Sequence, residues 1–204
     1  MNKAFADINP VYFEFAHRYL ERFMPITKEE LIDLLQYCEI RKFDKRVVLV
    51  KLGEVDNYLN MVVKGLVRKY LPRGKDEVIM QLATEGHVVQ SEISFLTRTP
   101  SPVVLETLEP TILVSLTYNK MEEALDKFSK GERLGRLILT GMLIKKDENR
   151  YNRSLKTTRE RFIDYMDHHP HMLQRVPQKY LASYLQIKPE TFSRLKALLS
   201  QRKK

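Results

Sequence analysis

The residues most suited to recognising a partner are Glu190 and Arg194, a carboxylate and a guanidinium four positions apart near the carboxyl end. Residues with this spacing lie on the same side of a helix. An arginine there can bind O6 and N7 of guanine with two hydrogen bonds, and a glutamate can accept one from N4 of cytosine. Each contact contributes about 1–3 kcal/mol of discrimination between bases. The alternative is a salt bridge between the two side chains, worth about 0.3–0.5 kcal/mol.

Two short helices are predicted to position this pair. Pro177 suits the first position of a helix, and Pro189 opens a second one after a three-residue break at 186–188. Each segment has an apolar face at helical spacing, and the small Ala182 permits a close crossing. We interpret the two segments as a helix-turn-helix whose second helix reads bases. The inward-facing residues are Leu181, Ala182, Leu185, Phe192, Leu195, Leu198 and Leu199.

The net charge is confined to the same end of the chain. The 204 residues carry a formal charge of +9. From Arg150 to the end there are thirteen basic and four acidic residues, which account for the whole +9, whereas residues 1–149 hold 22 of each sign. A one-ended excess of positive charge favours a module that binds phosphate or an acidic membrane surface, preceded by a neutral body.

Several classes of site are excluded by composition. The single Cys38 rules out internal disulfides and four-cysteine metal sites and fits a reducing compartment. The first 150 residues contain only His17 and His87, too few for the metal site of a cupin enzyme. We interpret the three histidines at 168, 169 and 171 as a polar loop. Because no catalytic motif is visible, we predict a protein without enzymatic activity, metal or cofactor.

The body of the chain reads as a β-roll preceded by helices. Residues 5–23 and 27–37 have helical periodicity, and Thr27 with Glu30 forms a capping box. Between residues 38 and 118, short β-branched or apolar runs alternate with turns about every ten residues, as in an antiparallel barrel or roll. The glycines that mark these turns are Gly53, Gly65, Gly74 and Gly86.

A long helix is predicted from about residue 119. Apolar positions alternate at spacings of three and four, as in a coiled-coil seam, which predicts a dimer interface. Packing of the same stripe on the chain's own roll is the alternative. A second capping box, Thr157 with Glu160, opens the next helix, which Pro170 ends. The predicted interface residues are Leu134, Leu137, Gly141, Ile144 and Tyr151.

These segments predict an α+β chain in three parts. Residues 1–118 form an N-terminal antiparallel β-roll of cupin-like, jelly-roll type with flanking helices, 119–155 a dimerisation helix, and 156–204 a winged-helix-like helix-turn-helix domain. The longest nearly apolar stretch, residues 134–144, is too short for a membrane span. The start of the chain has no apolar run typical of a secretory signal. We therefore expect a cytoplasmic protein.

The C-terminal motif resembles that of the Crp/Fnr superfamily of bacterial regulators, and the order roll, long helix, helix-turn-helix extends the resemblance over nearly the whole chain. The resemblance implies a homodimeric transcription regulator whose partners are double-stranded DNA and RNA polymerase. The E-x-x-S-R pattern of the Fnr branch falls on three residues, which are implied to contact bases: Glu190, Ser193 and Arg194. Phosphate contacts are implied for Gln178, Lys179, Lys188 and Thr191.

The resemblance is weaker in the roll. Cyclic-nucleotide sensors of this superfamily have a Gly-Glu pair and, about ten residues later, an arginine that binds the phosphate. Here Ser91-Glu92 matches half of the first pair, and the segment 100–102 reads Pro-Ser-Pro where the arginine is expected. A buried phosphate without its cation loses a charge-assisted interaction of about 1.5–3 kcal/mol. We therefore expect no cAMP and leave the effector unidentified. The candidate pocket residues are Ser91, Glu92, Arg98 and Ser101.

Two readings of the basic end remain open. In the first, a homodimer places two recognition helices about 34 Å apart in successive major grooves of a palindromic site. In the second, a ligand-binding or interaction module docks its basic end on an anionic membrane surface. A membrane helix is expected to show exposed Trp or Phe opposite its basic face, and the chain has no Trp. This favours DNA.

Overall fold

The structure is a computed structural model and describes residues 10–74 and 76–202. Two helices come first, α1 (Pro10–Glu21) and α2 (Lys28–Leu35). The predicted first helix began at Phe5, and residues 5–9 lie outside the described part. The capping box of α2 is confirmed: Thr27 Oγ1 accepts from the Glu30 amide, and the Glu30 carboxylate accepts from the Thr27 amide. These two hydrogen bonds satisfy backbone donors that the first turn of a helix leaves without partners.

The predicted antiparallel roll is confirmed and consists of two four-stranded sheets. The strands are β1 (Cys38–Phe43), β2 (Val48–Val50), β3 (Tyr58–Lys64), β4 (Val67–Arg73), β5 (Asp76–Ala83), β6 (Val88–Val89), β7 (Val104–Thr107) and β8 (Thr111–Thr117). One sheet has the order β1-β8-β3-β6 and the other β2-β7-β4-β5. The strands of the first sheet are paired antiparallel. A short helix, α3 (Glu92–Thr97), joins β6 to β7.

Gly65 shows why glycine is needed at one of the predicted turns. Its φ is +100°, a conformation that residues with a Cβ rarely adopt. A Cβ at this position would also lie 2.6 Å from both Pro110 O and Thr111 Oγ1. The turn between β3 and β4 therefore approaches the start of β8 so closely that a side chain has no room.

The helical region after the roll is divided in two. Instead of one helix from residue 119, the chain forms α4 (Tyr118–Lys127) and α5 (Gly131–Leu155). Gly131 occupies the corner between them, where a Cβ would lie 2.3 Å from the carbonyl oxygen of Leu125. A side chain cannot fit there, so the corner requires glycine. The long helix itself is confirmed over 25 residues.

The C-terminal part is helical throughout. It contains α6 (Thr158–His168), α7 (Met172–Arg175), α8 (Gln178–Leu185) and α9 (Pro189–Arg202). The second capping box, Thr157 with Glu160, is confirmed at the start of α6. Among residues 156–202 there is no strand, so the β-wing implied by a winged-helix-like domain does not form within this segment. The helix-turn-helix therefore has no local sheet to pack on.

The chain divides into two compact units. Described residues up to Lys69, together with Leu82–Met142, form the first unit; Tyr70–Gln81 and the described residues from Leu143 onward form the second. The division falls within α5, and it assigns most of the β4–β5 hairpin to the unit that contains the C-terminal helices. None of the described helices combines the length and apolarity that a bilayer crossing requires.

Candidate nucleic-acid interface

Helices α8 and α9 are held together by a small apolar core. Leu181 and Ala182 of α8 and Phe192 of α9 are buried. The Phe192 ring packs edge-to-face against Phe162 of α6, with centroids 5.2 Å apart. An aromatic pair in this geometry contributes about 0.5–1.5 kcal/mol beyond its area burial. The predicted inward face is thus confirmed for these residues, whereas Leu198 remains 43% exposed.

One residue of the turn between α8 and α9 has a left-handed backbone conformation, although it is not a glycine. Gln186 has φ 56° and ψ 46°. Its amide donates to Ser183 O, and the Ile187 amide donates to Ala182 O, which satisfies carbonyls at the end of α8. A left-handed conformation costs a residue with a Cβ about 1 kcal/mol. The core contacts of the two helices offset this cost.

The face of α9 opposite its core is exposed. Glu190, Ser193 and Arg194 are all exposed, and no hydrogen bond or ion pair joins Glu190 to Arg194 among the described residues. The intrahelical salt bridge that was the alternative interpretation is therefore not formed in this structure. Both charged groups are free to meet a partner.

The residues predicted to contact phosphate lie at the starts of the two helices. Gln178 and Lys179 are exposed in the first turn of α8, and Lys188 is exposed directly before α9. Thr191, in the first turn of α9, is half-buried. The Lys179 Nζ lies 4.8 Å from the centroid of the Tyr180 ring. Backbone amides at helix starts favour anions, so side-chain cations at the same two places give one positive surface.

The predicted dimer seam requires a correction in its first half. Leu134 is 6% exposed and Leu137 is half-buried, and both belong to a core shared with α1 and α2. A Cβ on Gly141 would lie 2.7 Å from the Phe23 ring. Leu134 and Leu137 therefore pack on the chain's own N-terminal helices, and Gly141 packs on Phe23 in the segment between those helices. The sequence pattern did not separate an internal apolar face from an external one, because both have helical spacing.

The second half of the seam is exposed. Ile144 is 55% exposed and Tyr151 is 64% exposed. Leu139, Leu143 and Leu155 are exposed as well. Exposed apolar side chains of this number on one helix are typical of an interaction surface.

The four pocket residues predicted in the roll come together, but their polar groups are engaged with one another or with neighbours. Ser101 Oγ donates to Ser91 Oγ at 2.9 Å, and both residues are buried. The Lys69 Nζ donates to the two carboxylate oxygens of Glu92 at 2.7 and 2.8 Å. Lys69, which the sequence analysis missed, is only 7% exposed. The Glu92 carboxylate thus already has a buried cation as its partner.

Arg98 donates hydrogen bonds to backbone carbonyls of α3 and of the segment before β3. It is the C-cap of α3 with φ 57°, and its Nη1 donates to Asp56 O at 2.8 Å and to Phe95 O at 3.2 Å. Its guanidinium carbon lies 4.6 Å from the centroid of Tyr118. The Arg98 side chain is half-buried and bonded to the backbone.

Asp56 is a second residue of this region that sequence reasoning missed. It is fully buried and accepts from the amides of Ser91 at 2.7 Å and Tyr58 at 3.0 Å. Burial raises the pKa of the Asp56 carboxyl above its ordinary value, while the two amide hydrogen bonds act in the opposite direction. Ser91 lies 35 residues away in sequence, so no local pattern could have identified that contact.

Ser183 makes a further contact that the sequence did not indicate. Its hydroxyl accepts from the amide of Ile79 at 3.0 Å and donates to the carbonyl of Glu77 at 2.9 Å. These two residues belong to β5, at the edge of its sheet. Within the second unit, the first helix of the helix-turn-helix is therefore bonded to the edge of a strand, over a sequence separation of 104 to 106 residues.

The described residues do not form a metal centre. No group of three or more His, Cys, Asp or Glu side chains is placed to hold an ion among them. His168 and His169 lie at the end of α6 with ring centroids 6.5 Å apart. Burial raises the pKa of the Cys38 thiol to about 12, which disfavours the thiolate that metal binding requires.

Comparison with known proteins identifies the fold. Residues 40–128 match the family of the cyclic nucleotide-binding domain. FixK2 from Bradyrhizobium japonicum has a TM-score of 0.65 at 19% identity, covering 81% of this chain and 85% of that one. CLP from Xanthomonas campestris, described as a c-di-GMP responsive global regulator, has a TM-score of 0.62 at 16% identity, with 86% and 93% covered. The catabolite activator protein of Thermus thermophilus has a TM-score of 0.56 at 20% identity, with 90% and 87% covered.

A comparison with curated protein sequences gives no significant match. The fold that the resemblance implied is nevertheless confirmed, because residues 40–128 match a cyclic nucleotide-binding domain and the three solved structures share the fold of the chain.

Proposed function

We propose that the protein is a sequence-specific DNA-binding transcription regulator of Crp/Fnr type, without enzymatic activity. The observation that carries this proposal is the exposed face of α9, where Glu190 and Arg194 share one side of the helix and do not bond to each other. A guanidinium held in this way can bind a guanine, and a carboxylate beside phosphates is costly unless it accepts from a base. The shared fold supports the same conclusion.

The positive charge of the second unit supports DNA over a neutral partner. The whole excess of +9 lies between Arg150 and the carboxyl end. Lys179 and Lys188 are exposed at the starts of the two helices. Each phosphate that such a cation neutralises releases counterions, so affinity is expected to fall steeply with salt. Most apolar side chains of α8 and α9 are buried in the core between these helices. Few therefore remain exposed to insert into a lipid surface.

We propose that the regulator acts as a homodimer through the exposed half of α5. Ile144 and Tyr151 stay in the proposed interface, and Leu139, Leu143 and Leu155 extend it. Two copies joined along this helix present two recognition helices to a palindromic site, with half-site centres about 34 Å apart. RNA polymerase is the expected protein partner on the promoter. The roll takes no cAMP in this proposal, because Glu92 is paired with Lys69.

A selection of bound duplexes from a random DNA pool tests the proposal. We expect an enriched palindrome whose half-sites lie about one helical turn apart, and a steep loss of affinity with salt. Binding to random duplex is compared with binding to vesicles of anionic lipid at the same salt concentration. A preference for vesicles, or a pool that yields no common sequence, contradicts the proposal.

A further inference from the structure

A cavity of about 320 Å³ lies within the second unit, beside the helix-turn-helix and apart from the base-reading face. It is surrounded by the end of α5, by α6 and by the end of α8 with the following turn. The lining residues are Asn149, Asn152, Lys156, Arg161, Asp164, Tyr165, His168, His169, Tyr184, Leu185 and Gln186.

One side of this cavity is aromatic. The Tyr165 ring lies 5.4 Å from that of Tyr184 and 4.9 Å from that of His169, measured between centroids. All three residues are half-buried. Burial raises the pKa of the Tyr165 hydroxyl above its ordinary value, with a smaller contribution from Tyr184. A flat ring can stack on such a surface.

The rest of the lining includes Lys156, Arg161 and the Asp164 carboxylate. Lys156 Nζ lies 3.0 Å from Asp164 Oδ2, and Arg161 Nη1 donates to Lys156 O at 3.3 Å. The Asp164 carboxylate is 48% exposed and also lies 3.5 Å from His168 Nδ1. A lysine ammonium has three donors. One of those of Lys156 serves Asp164, so the remaining two can serve a second carboxylate.

We propose that this cavity is an effector site for a small aromatic carboxylate. The ring packs against Tyr165 and Tyr184, and the carboxylate binds Lys156. The volume lies at the lower end of the range of ligand pockets. It therefore fits a single substituted ring better than a nucleotide. The three exposed amide side chains at the rim can bond ring substituents; they belong to Asn149, Asn152 and Gln186.

The position of the cavity couples it to the base-reading face. Gln186 lies in the turn before α9, and Tyr184 lies on α8, whereas Asn149 and Asn152 belong to α5. A ligand that touches all three elements stabilises the arrangement in which Arg194 is exposed. By population shift it raises affinity for DNA. This consequence rests on the proposed function, but the binding itself does not.

Calorimetric titration of the full chain with benzoate, salicylate and 4-hydroxybenzoate tests the binding. We expect saturable binding of at least one of them and none of cyclohexanecarboxylate, which has the charge without the aromatic ring. Lys156→Gln and Tyr184→Leu should each weaken binding about tenfold or more, since they remove a charge-assisted hydrogen bond and a stacking surface. Lys127→Gln, which removes a lysine charge on α4, should leave binding unchanged.

Thermal unfolding of each variant shows whether it is folded. If Tyr184→Leu does not fold, the test of the binding site depends on Lys156→Gln alone. Absence of saturable binding of all three acids to the wild-type chain contradicts the site, as does binding that both folded variants retain. Duplex affinity is then measured with and without the acid that binds. An increase in duplex affinity supports the coupling. An unchanged duplex affinity contradicts the coupling but does not contradict the proposed site. DNA selectivity in the absence of any acid tests the proposed function separately.

Discussion

Ser183 of α8 and Ile79 of β5 are joined by a hydrogen bond of 3.0 Å from the Ile79 amide to the Ser183 hydroxyl, which in turn donates to Glu77 O at 2.9 Å. An edge strand presents backbone groups without partners. One hydroxyl here satisfies both a donor and an acceptor of that edge. The helix-turn-helix, which has no wing in its own described sequence, thus has a β-strand from an earlier part of the chain as its neighbour.

Ser183→Ala should lower the free energy of unfolding by about 1–3 kcal/mol, because it leaves a buried amide without a partner. Ile79 itself is only 4% exposed. Hydrogen exchange at the Ile79 amide should become faster. Ser154→Ala is the control, since the Ser154 hydroxyl donates only to Arg150 O within α5. Unchanged exchange at Ile79 in Ser183→Ala would contradict the contact.

Gln186→Gly should stabilise the protein by about 0.5–1 kcal/mol. Glycine adopts the left-handed conformation without the steric cost that Gln186 bears at φ 56°, although its greater freedom in the unfolded chain offsets part of the gain. Chemical denaturation measures the difference. Gln174→Gly in α7, where the backbone is right-handed, should instead be destabilising. A loss of stability in Gln186→Gly comparable to that control would show that the turn is not left-handed.

Ile144→Asp should convert the dimer to a monomer in sedimentation velocity, because a charge would be buried in an apolar interface without a partner. Ile32→Asp provides a matched control on α2, where Ile32 is 57% exposed, against 55% for Ile144. That control should remain dimeric. A dimer of unchanged stability in Ile144→Asp would place the interface on another surface.

Patterns within short segments predicted most of the fold. The capping boxes at Thr27 and Thr157, the punctuation of the roll by glycines and the two prolines of the helix-turn-helix act within a few residues, so the sequence displays them directly. The missed features depend on distant partners. Gly141 was assigned to a dimer seam, but Phe23 packs against it from the chain's own N-terminal part. Helical spacing shows that a face is buried and does not show what buries it.

Some features of the candidate site could likewise be predicted from the sequence, and others could not. The exposure of Glu190 and Arg194 follows from their position opposite the apolar face of one helix, which the sequence shows. The pairing of Glu92 with Lys69 depends on how β4 lies beside α3, and no local pattern encodes it. The same is true of the contact between Ser183 and β5.

The measurement that bears most directly on the central claim is the selectivity of Arg194→Ala for a selected palindrome over a scrambled duplex of the same composition. We expect the preference to be abolished while weak nonspecific binding remains, because each half-site loses a bidentate contact worth about 1–3 kcal/mol. Lys179→Ala should weaken binding to both duplexes about equally and reduce the dependence on salt. Selectivity of Arg194→Ala equal to that of the wild-type protein would contradict the base-reading role of α9.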